Sequence, residues 1–307
     1  MPIPVLALHG GAGTISPEDL RGREQGYQDG LRRALRAGWQ VLAGGGPALD
    51  AVQAAVMALE DDAHFNAGHG ATFTTAGTTE MEACIMDGPT RRTGAAALLC
   101  GPRNPVQVAR LVMEQTPHTL VVGETATRLA REAGLAFEDA AYFRTERRWE
   151  ALQVFLARNG DVQDDALRHG TVGAVACDAA GRLAAATSTG GRTGKMPSRI
   201  GDTPLAGAGT WADERVAFSG TGLGEAFVRS AAGAQLSARM RWAGESLDTA
   251  AQAVLDDIAS LGGDGGLVAV DRDGHVTLPF NSRGMYRGAI GADGVPRVAI
   301  HGEPLAA

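Results

Sequence analysis

Short apolar runs bounded by glycine alternate with helical patterns, and this alternation restricts the possible folds of the chain more than any other feature. The run from Ile3 to His9 ends at glycines 10, 11 and 13, which predicts a buried strand followed by a tight turn. A helical pattern follows from Pro17 to Trp39 and stops at glycines 44–46, and a second helix begins at Pro47. Further strands are predicted over 80–86 and 95–99, with helices over 105–113 and 126–133.

The second half of the chain shows the same mixture of strands and helices. TVGAVACD (171–178) and RLAAATS (182–188) are apolar runs joined by a turn at 179–181, which predicts a buried β-hairpin. Helical patterns return over 224–240 and 247–261, and strands are predicted in GLVAV, HVTLPF and RVAI. Paired strands and paired helices in both halves predict stacked sheets covered by helices, a layered α+β arrangement.

Residues 142–170 are rich in charge and show only weak apolar periodicity. This composition predicts an exposed linker or a mobile terminal segment. The sequence changes abruptly at Thr171, where the apolar hairpin begins. We therefore divide the chain into residues 1–170 and 171–307, both within one structural domain.

The overall composition favours a globular protein that acts on small molecules. The chain has 307 residues, of which 44% are hydrophobic, and its 35 acidic residues outnumber its 28 basic ones. This balance gives no reason to expect nucleic acid or an anionic membrane as a partner. The N-terminus lacks the pattern of a secretory signal, which favours the cytoplasm. Cys84, Cys100 and Cys177 form no metal-ligand spacing and are interpreted as small core residues.

Several common catalytic patterns are missing from the sequence. HGGAG at 9–13 resembles an oxyanion loop of α/β-hydrolases, but the chain has no G-x-S-x-G elbow. TGGRTGK at 189–195 lacks the first glycine of a phosphate-binding loop and the Ser or Thr after its lysine. None of the 7 histidines falls into an HExxH or HxH pattern, so we expect no catalytic zinc.

Three clusters place a threonine beside glycine, at 169–173, 187–191 and 219–224. Taken singly, each cluster is typical of an ordinary turn. Thr171, however, follows Gly170 at the head of a buried strand and directly after the predicted linker. Cleavage of the Gly170–Thr171 bond would give the Thr171 hydroxyl an adjacent free amine, with a pKa of about 7.7–8.0, as its base. The pattern therefore predicts an N-terminal nucleophile.

Seven motifs give the chain a resemblance to the plant-type asparaginase and isoaspartyl peptidase family, relatives of the glycosylasparaginases, over nearly its whole length. They are HGGAG (9–13), FNAGHGA (65–71), MEACIMDG (81–88), HGTVGAVACD (169–178), ATSTGG (186–191), RIGDTPLAGAGTWAD (199–213) and SGTGLGE (219–225). The resemblance implies the four-layer αββα sandwich of N-terminal nucleophile hydrolases and self-cleavage of the Gly170–Thr171 bond. It also implies an assembly of two α fragments (1–170) and two β fragments (171–307), with no cofactor for catalysis.

The resemblance further implies a set of catalytic roles. Thr171 is then the nucleophile, and Thr189 bonds near its amine and hydroxyl and orients it. Thr221 and the amide of Gly222 form the oxyanion hole, where loss of one donor typically costs about 2.7–4 kcal/mol. Asn66 acts as an amide donor near the scissile bond. Taken alone, Asn66 would indicate only a turn.

The family's substrate-binding pair corresponds to Arg199 and Asp202, which bind the substrate's α-carboxylate and α-ammonium. The carbonyl of Gly224 is a further acceptor for the ammonium. A guanidinium fork matches a carboxylate in a bidentate pair, and an aspartate supplies the opposite charge for the ammonium. Without the RIGD motif around them, the two residues would indicate a surface ion pair.

In relatives, a loop binds sodium through main-chain carbonyls, although an ordinary helix-to-strand loop has the same sequence pattern. The corresponding residues are Leu59, Glu60, Asp62, Phe65, Ala67 and His69. His9 is predicted to be a buried hydrogen-bonding histidine, and His169 to lie on the flexible end before the cut. Three positions depart from the family pattern at the rim of the pocket: Gly194, Ser198 and Trp211.

The expected function is hydrolysis of L-asparagine and of β-aspartyl dipeptides through an acyl-enzyme on Thr171. A glycosylasparaginase uses the same chemistry, and the missing secretory signal argues against it. A chain that is never cut and only binds an amino acid through Arg199 and Asp202 is the alternative from another class.

Overall fold

The computed structural model describes residues 3–13, 15, 20, 22–158 and 170–307. The strands of its larger sheet are β1 (Val5–Gly13), β2 (Met81–Asp87), β3 (Thr93–Leu99), β4 (Leu120–Val122), β5 (Val172–Cys177), β6 (Leu183–Thr189), β11 (Gly284–Ile290) and β12 (Arg297–Ala299). Their order is β12-β11-β1-β5-β6-β2-β3-β4. Neighbours are antiparallel except β3 and β4, which are parallel. The predicted hairpin is confirmed as β5 and β6.

The smaller sheet has four antiparallel strands in the order β10-β9-β8-β7. These strands are β7 (Thr210–Ala212), β8 (Val216–Gly222), β9 (Gly265–Asp271) and β10 (Val276–Thr277). The two sheets and the helices around them confirm a mixed helix-and-sheet fold.

The helices lie between these strands in the sequence. They are α1 (Glu24–Ala43), α2 (Ala48–Glu60), α3 (Pro105–Gln115), α4 (Gly123–Glu132), α5 (Ala140–Phe143), α6 (Glu146–Ala157), α7 (Gly224–Ser230), α8 (Ala232–Ala238) and α9 (Leu247–Ser260). A π-helical turn spans Arg239–Ala243. The predicted helix start at Pro17 lies outside the described residues. No helix in the described part of the chain is long and apolar enough to cross a membrane.

The described residues form four apolar clusters, and three of these include residues of β1 or of the smaller sheet. Leu6 and Leu8 of β1 belong to a cluster with residues of α1 and α2, whereas Ala7 belongs to a cluster with Val268 of the smaller sheet. Successive side chains of a strand point to opposite faces, so β1 is buried on both sides and its sequence is a continuous apolar run. A third cluster, which includes Phe227, joins the smaller sheet to α7, α8 and α9.

The prediction of an exposed linker over 142–170 is wrong for its first part, which contains α6. The Thr145 hydroxyl caps this helix by accepting from the Arg148 N–H, and the Arg148 guanidinium, itself buried, donates to Gly70 O at 2.8 Å. Ala151 and Leu152 are also buried. The buried stripe is narrow and contains an arginine, so it gives little apolar periodicity. Residues 159–169, including His169, lie outside the described residues.

Two further sequence-based expectations need correction. The sequence did not predict β11, because Arg287 and glycines interrupt its apolar pattern. Arg287 is nevertheless buried and donates to Met285 O at 3.3 Å and Glu303 O at 2.7 Å. Cys84 and Cys177 are buried as predicted, whereas Cys100 is exposed because it follows β3 where the chain leaves the sheet.

Candidate active site

Thr171 directly precedes β5 and faces the end of β6. Val172 pairs with Ser188 in the antiparallel ladder, which places Thr171 opposite Thr189. Both threonines are buried, and the Thr171 hydroxyl donates to Thr189 Oγ1 at 3.3 Å. The hairpin register therefore creates the threonine pair.

The carbonyl oxygen of Gly170 accepts two hydrogen bonds. Asn66 Nδ2 lies 2.6 Å from it and Thr189 Oγ1 lies 3.0 Å from it. The Asn66 amide is fixed by two further bonds, from Nδ2 to Gly191 O at 2.6 Å and from Thr72 N to Oδ1 at 2.9 Å. A Cβ on Gly170 would lie 2.9 Å from Asn66 Cβ at a φ of +153°, so this close approach requires glycine. The carbonyl oxygen of the Gly170–Thr171 peptide bond is thus held by two hydrogen-bond donors.

His9 contacts the main chain of Thr171. Its Nδ1 lies 2.9 Å from Thr171 O and its Nε2 lies 2.9 Å from Ser219 Oγ. Burial lowers the pKa of His9 to about 3, so the ring is neutral at neutral pH. A carbonyl only accepts, so Nδ1 carries the proton and the Ser219 hydroxyl donates to Nε2. Thr187 in turn donates to Ser219 at 2.7 Å, and Thr210 donates to Thr187 at 2.7 Å. The predicted buried, hydrogen-bonded histidine is confirmed.

Thr221 and Gly222 close the end of β8. The Thr221 hydroxyl is buried and accepts from Ala12 N at 3.1 Å, which leaves its proton to donate elsewhere. Gly222 pairs with Gly265 in β9, and a Cβ on Gly222 would lie 2.2 Å from Asp264 O. Glycine is therefore required where this strand reaches the cleft.

Arg199 is held between two glutamates. Its Nε and Nη2 donate to Glu225 Oε1 at 3.1 and 2.9 Å, and its Nη1 lies 4.0 Å from Glu82 Oε1. Glu82 accepts from Gly201 N with both oxygens at 3.1 Å. Burial raises the pKa of Glu82, and the positive charges of Lys195 and Arg199 oppose this effect. The guanidinium is thereby fixed beside the cleft.

Asp202 is buried close to Arg199. Burial raises its pKa to about 7, and the nearby charge of Glu82 acts in the same direction. Among the described residues, Asp202 Oδ2 has no hydrogen-bond partner. A Cβ on Gly224 would lie 2.6 Å from Asp202 Oδ1 and 2.9 Å from Arg199 Nη2, so Gly224 packs directly against the pair. A buried carboxylate oxygen that lacks a hydrogen-bond partner is a suitable site for a cationic group.

One cleft is lined by Glu82, Gly170, Thr171, Thr189, Gly191, Arg192, Arg199, Asp202, Gly222 and Gly224. Of the predicted catalytic and substrate-binding residues, Asn66 and Thr221 do not line it, and neither do the residues of the predicted sodium loop. Glu82 and Arg192 were not among the residues predicted from the sequence. A glutamate within the apolar strand β2 was the available signal for Glu82.

One known protein family matches most of the chain. The family model described as asparaginase matches residues 2–300. The chain belongs to the asparaginase family. This membership confirms the predicted family and makes the chain a member of a family of hydrolases, as expected for an enzyme.

Several relatives resemble the asparaginase-family chain over almost their entire length. The isoaspartyl peptidase of Salmonella typhimurium is 45% identical, with 97% of this chain and 99% of the relative covered. The isoaspartyl peptidase of Escherichia coli is 44% identical, covering 97% and 96%. The isoaspartyl peptidase/L-asparaginase of Xenopus laevis is 40% identical, covering 98% and 96%.

The three departures from the family pattern lie in different places. Gly194 has a φ of +70°, and a Cβ there would lie 2.3 Å from the ring of Phe155. Ser198 adopts a φ of +69° and donates its N–H to Glu80 Oε2 at 2.7 Å. Trp211 lines a separate cleft with Trp242 rather than the Thr171 cleft, so the expectation that it lies at the rim is wrong. The indole Nε1 of Trp211 donates to Asp213 Oδ2 at 3.2 Å, and Asp213 lines the same separate cleft.

Proposed function

We propose that this chain is an autoprocessing threonine amidohydrolase that hydrolyses L-asparagine to aspartate and ammonia, and β-aspartyl dipeptides to aspartate and an amino acid. The observation that supports this proposal most directly is the position of Thr171. Its hydroxyl donates to Thr189 Oγ1 at 3.3 Å, and the carbonyl oxygen of the preceding residue, Gly170, accepts two hydrogen bonds. Thr171 lies in the cleft that is also lined by Arg199 and Asp202. The names of the relatives, isoaspartyl peptidase and isoaspartyl peptidase/L-asparaginase, agree with both substrates.

In the proposed self-cleavage, Thr171 Oγ1 attacks the carbonyl carbon of Gly170. Negative charge develops on Gly170 O, where Asn66 Nδ2 and the Thr189 hydroxyl donate. The C–N bond then breaks, the Thr171 nitrogen takes the proton that the hydroxyl has lost, and the acyl group of Gly170 passes to Oγ1 as an ester. Water hydrolyses the ester to a Gly170 carboxylate and a free Thr171 with its α-amine.

The same oxygen then attacks substrate. The new α-amine, with a pKa near about 7.7–8.0, takes the hydroxyl proton as Oγ1 bonds to the side-chain carbonyl carbon. Thr189 orients Thr171, and the Thr221 hydroxyl and the Gly222 N–H stabilise the oxyanion. The amine returns the proton to the leaving nitrogen, and ammonia or an amino acid departs. Water then releases aspartate and restores the hydroxyl.

The substrate's amino-acid head binds on the far side of the cleft. Its α-carboxylate takes the place of Glu225 on the Arg199 fork, and its α-ammonium pairs with Asp202. The Gly224 carbonyl is a further acceptor. Asp202 Oδ2, buried without a partner among the described residues, gains the donor it lacks.

The layered fold, the assembly and the cellular location belong to the same proposal. The clusters on both faces of the two sheets support a four-layer αββα sandwich. After the cut, we expect two α and two β fragments to assemble. A cytoplasmic location stays a prediction from the sequence.

We also propose a structural sodium ion in the loop after α2, bound by the carbonyls of Leu59, Glu60, Asp62, Phe65, Ala67 and His69. A Cβ on Gly68 would lie 2.3 Å from Glu60 O, and one on Gly70 would lie 2.0 Å from Phe65 O. Carbonyl oxygens thus crowd the inside of this turn, which fits a hard cation. Equal melting temperatures in sodium and choline chloride at matched ionic strength would contradict this site.

The deciding experiment is the intact mass of the purified protein, followed by N-terminal sequencing of its fragments. A fragment that begins at Thr171 is expected from the wild type, whereas Thr171→Ala should stay whole, folded and inactive. Two fragments from Thr171→Ala would exclude this nucleophile. An uncut wild type that binds aspartate without turnover would indicate a binding protein. Faster turnover of glycosylated asparagine than of β-aspartyl dipeptides would indicate a glycosylasparaginase.

A further inference from the structure

A second cleft adjoins the one that contains Thr171. Its volume is about 300 Å³, and Arg192 and Arg199 line both clefts. The second cleft is also lined by Phe155, Met196 and Glu225. A group attached to the nitrogen of the scissile amide therefore has a defined space next to the Thr171 cleft.

The charges of this second cleft favour an anion. Arg199 holds Glu225 Oε1 at 2.9 Å, while Arg192 Nη1 lies 3.6 Å from Glu225 Oε2. Two guanidinium groups thus share one carboxylate, whereas the third cation of the lining, Lys195, is buried and interacts with Glu82. The Arg192 side chain is 31% exposed, so a ligand in the cleft can reach its guanidinium. An incoming carboxylate gains a charge-assisted bond there.

Part of the lining of this cleft is apolar. The Phe155 ring packs against Gly194, and a Cβ on Gly194 would lie only 2.3 Å from Phe155 Cδ1 and Cε1. The ring therefore reaches this position only because residue 194 is glycine. Met196 is 74% exposed at the same cleft. Together these two side chains offer a surface to an aliphatic group.

We propose that this second cleft binds the leaving residue of a β-aspartyl dipeptide. Arg192 binds the free C-terminal carboxylate of that residue, and Phe155 and Met196 contact its side chain. This inference rests on the proposed hydrolysis of β-aspartyl peptides and specifies the preferred substrate class, dipeptides with a free carboxylate and an aliphatic second residue. A neutral sugar on the asparagine nitrogen would lack the carboxylate that Arg192 binds.

The test compares β-aspartyl-leucine with its C-terminal amide, using the processed protein. We expect kcat/KM to be about tenfold higher for the acid, as one charge-assisted hydrogen bond gives. Arg192→Gln should bring the acid-to-amide ratio close to one, and Arg192→Lys should retain part of it. Arg128→Gln removes the same charge from α4, which lines neither cleft, and should keep the wild-type ratio.

A wild-type ratio near one would overturn the proposal, and so would an unchanged ratio in Arg192→Gln. A merely structural role of Arg192 would slow both peptides equally and leave the ratio intact. If Arg192→Gln is not processed, the wild-type ratio still decides. Phe155→Ala provides a second measurement, since it should reduce the preference for β-aspartyl-leucine over β-aspartyl-glycine. An unchanged preference would contradict the contact between Phe155 and the side chain of the leaving residue. Failure of the proposed function itself looks different, because then neither the dipeptides nor L-asparagine would be hydrolysed.

Discussion

Replacement of Asn66 by alanine should slow the cleavage of the Gly170–Thr171 bond. Asn66 Nδ2 is one of two donors to Gly170 O, at 2.6 Å, and Thr189 Oγ1 is the other, at 3.0 Å. Removal of one donor from an oxygen that becomes negative in the transition state costs about 2.7–4 kcal/mol, or about 10²–10³-fold in rate. The Thr189 bond remains, so we expect slow cleavage rather than none.

The same substitution also affects stability. Gly191 O and Thr72 N each lose their hydrogen bond to the Asn66 side chain, and an unsatisfied buried group costs about 1–3 kcal/mol. Asn66→Asp removes the same donor, but its buried carboxylate would face the carbonyl oxygens of Gly170 and Gly191, which repel it. Both variants should therefore be cut slowly, and the aspartate variant should be the less stable of the two.

The assay follows newly synthesised precursor from cell-free translation by intact mass over time. Thermal unfolding of each variant shows that it is folded. Thr72→Val is the matched control, since its hydroxyl bonds to Gly190 O at 3.1 Å and not to the scissile bond, so it should be cut at nearly the wild-type rate. A folded Asn66→Ala precursor that is cut within about twofold of the wild-type rate would refute the role of this donor.

Three further predictions concern substrate binding and packing. Arg199→Ala should still be cut, but its KM for L-asparagine should rise by about 10–100-fold, as loss of a charge-assisted bond predicts, and an unchanged KM in steady-state assays would exclude Arg199 from binding. Burial raises the pKa of Asp202 to about 7, above its ordinary value of 3.8, so its charge destabilises the folded state increasingly as pH rises from about 4 through 7. Asp202→Asn should therefore melt higher than the wild type at pH 8 and equally at pH 4; a difference that does not change with pH in thermal melts would contradict this. A Cβ on Gly173 would lie 1.9 Å from Ser219 Oγ, so Gly173→Ala should lose about 1–3 kcal/mol in urea denaturation, whereas Gly291→Ala, with nothing within 4 Å, should lose almost nothing.

Local pattern was sufficient for elements whose burial is continuous or periodic. The strand β1, the hairpin of β5 and β6 and the helices α2 and α9 follow from apolar runs and their spacing, because these segments bury whole faces. The helix α6 and the strand β11 were missed because each buries an arginine whose guanidinium donates to carbonyls distant in sequence. A pattern of apolar residues contains no information about such bonds.

The sequence by itself determined the family, through seven motifs in order, and the identity of the residues that gather near Thr171. Only the tertiary structure decided their distances, since the bonds to Gly170 O come from Asn66, 104 positions away, and from Thr189, 19 positions away. The tertiary structure also decided the burial and raised pKa of Asp202, and it placed Glu82 and Arg192 in the lining of the cleft. Charge, burial and close approach arise between segments that meet only when the chain is folded, so no local pattern records them.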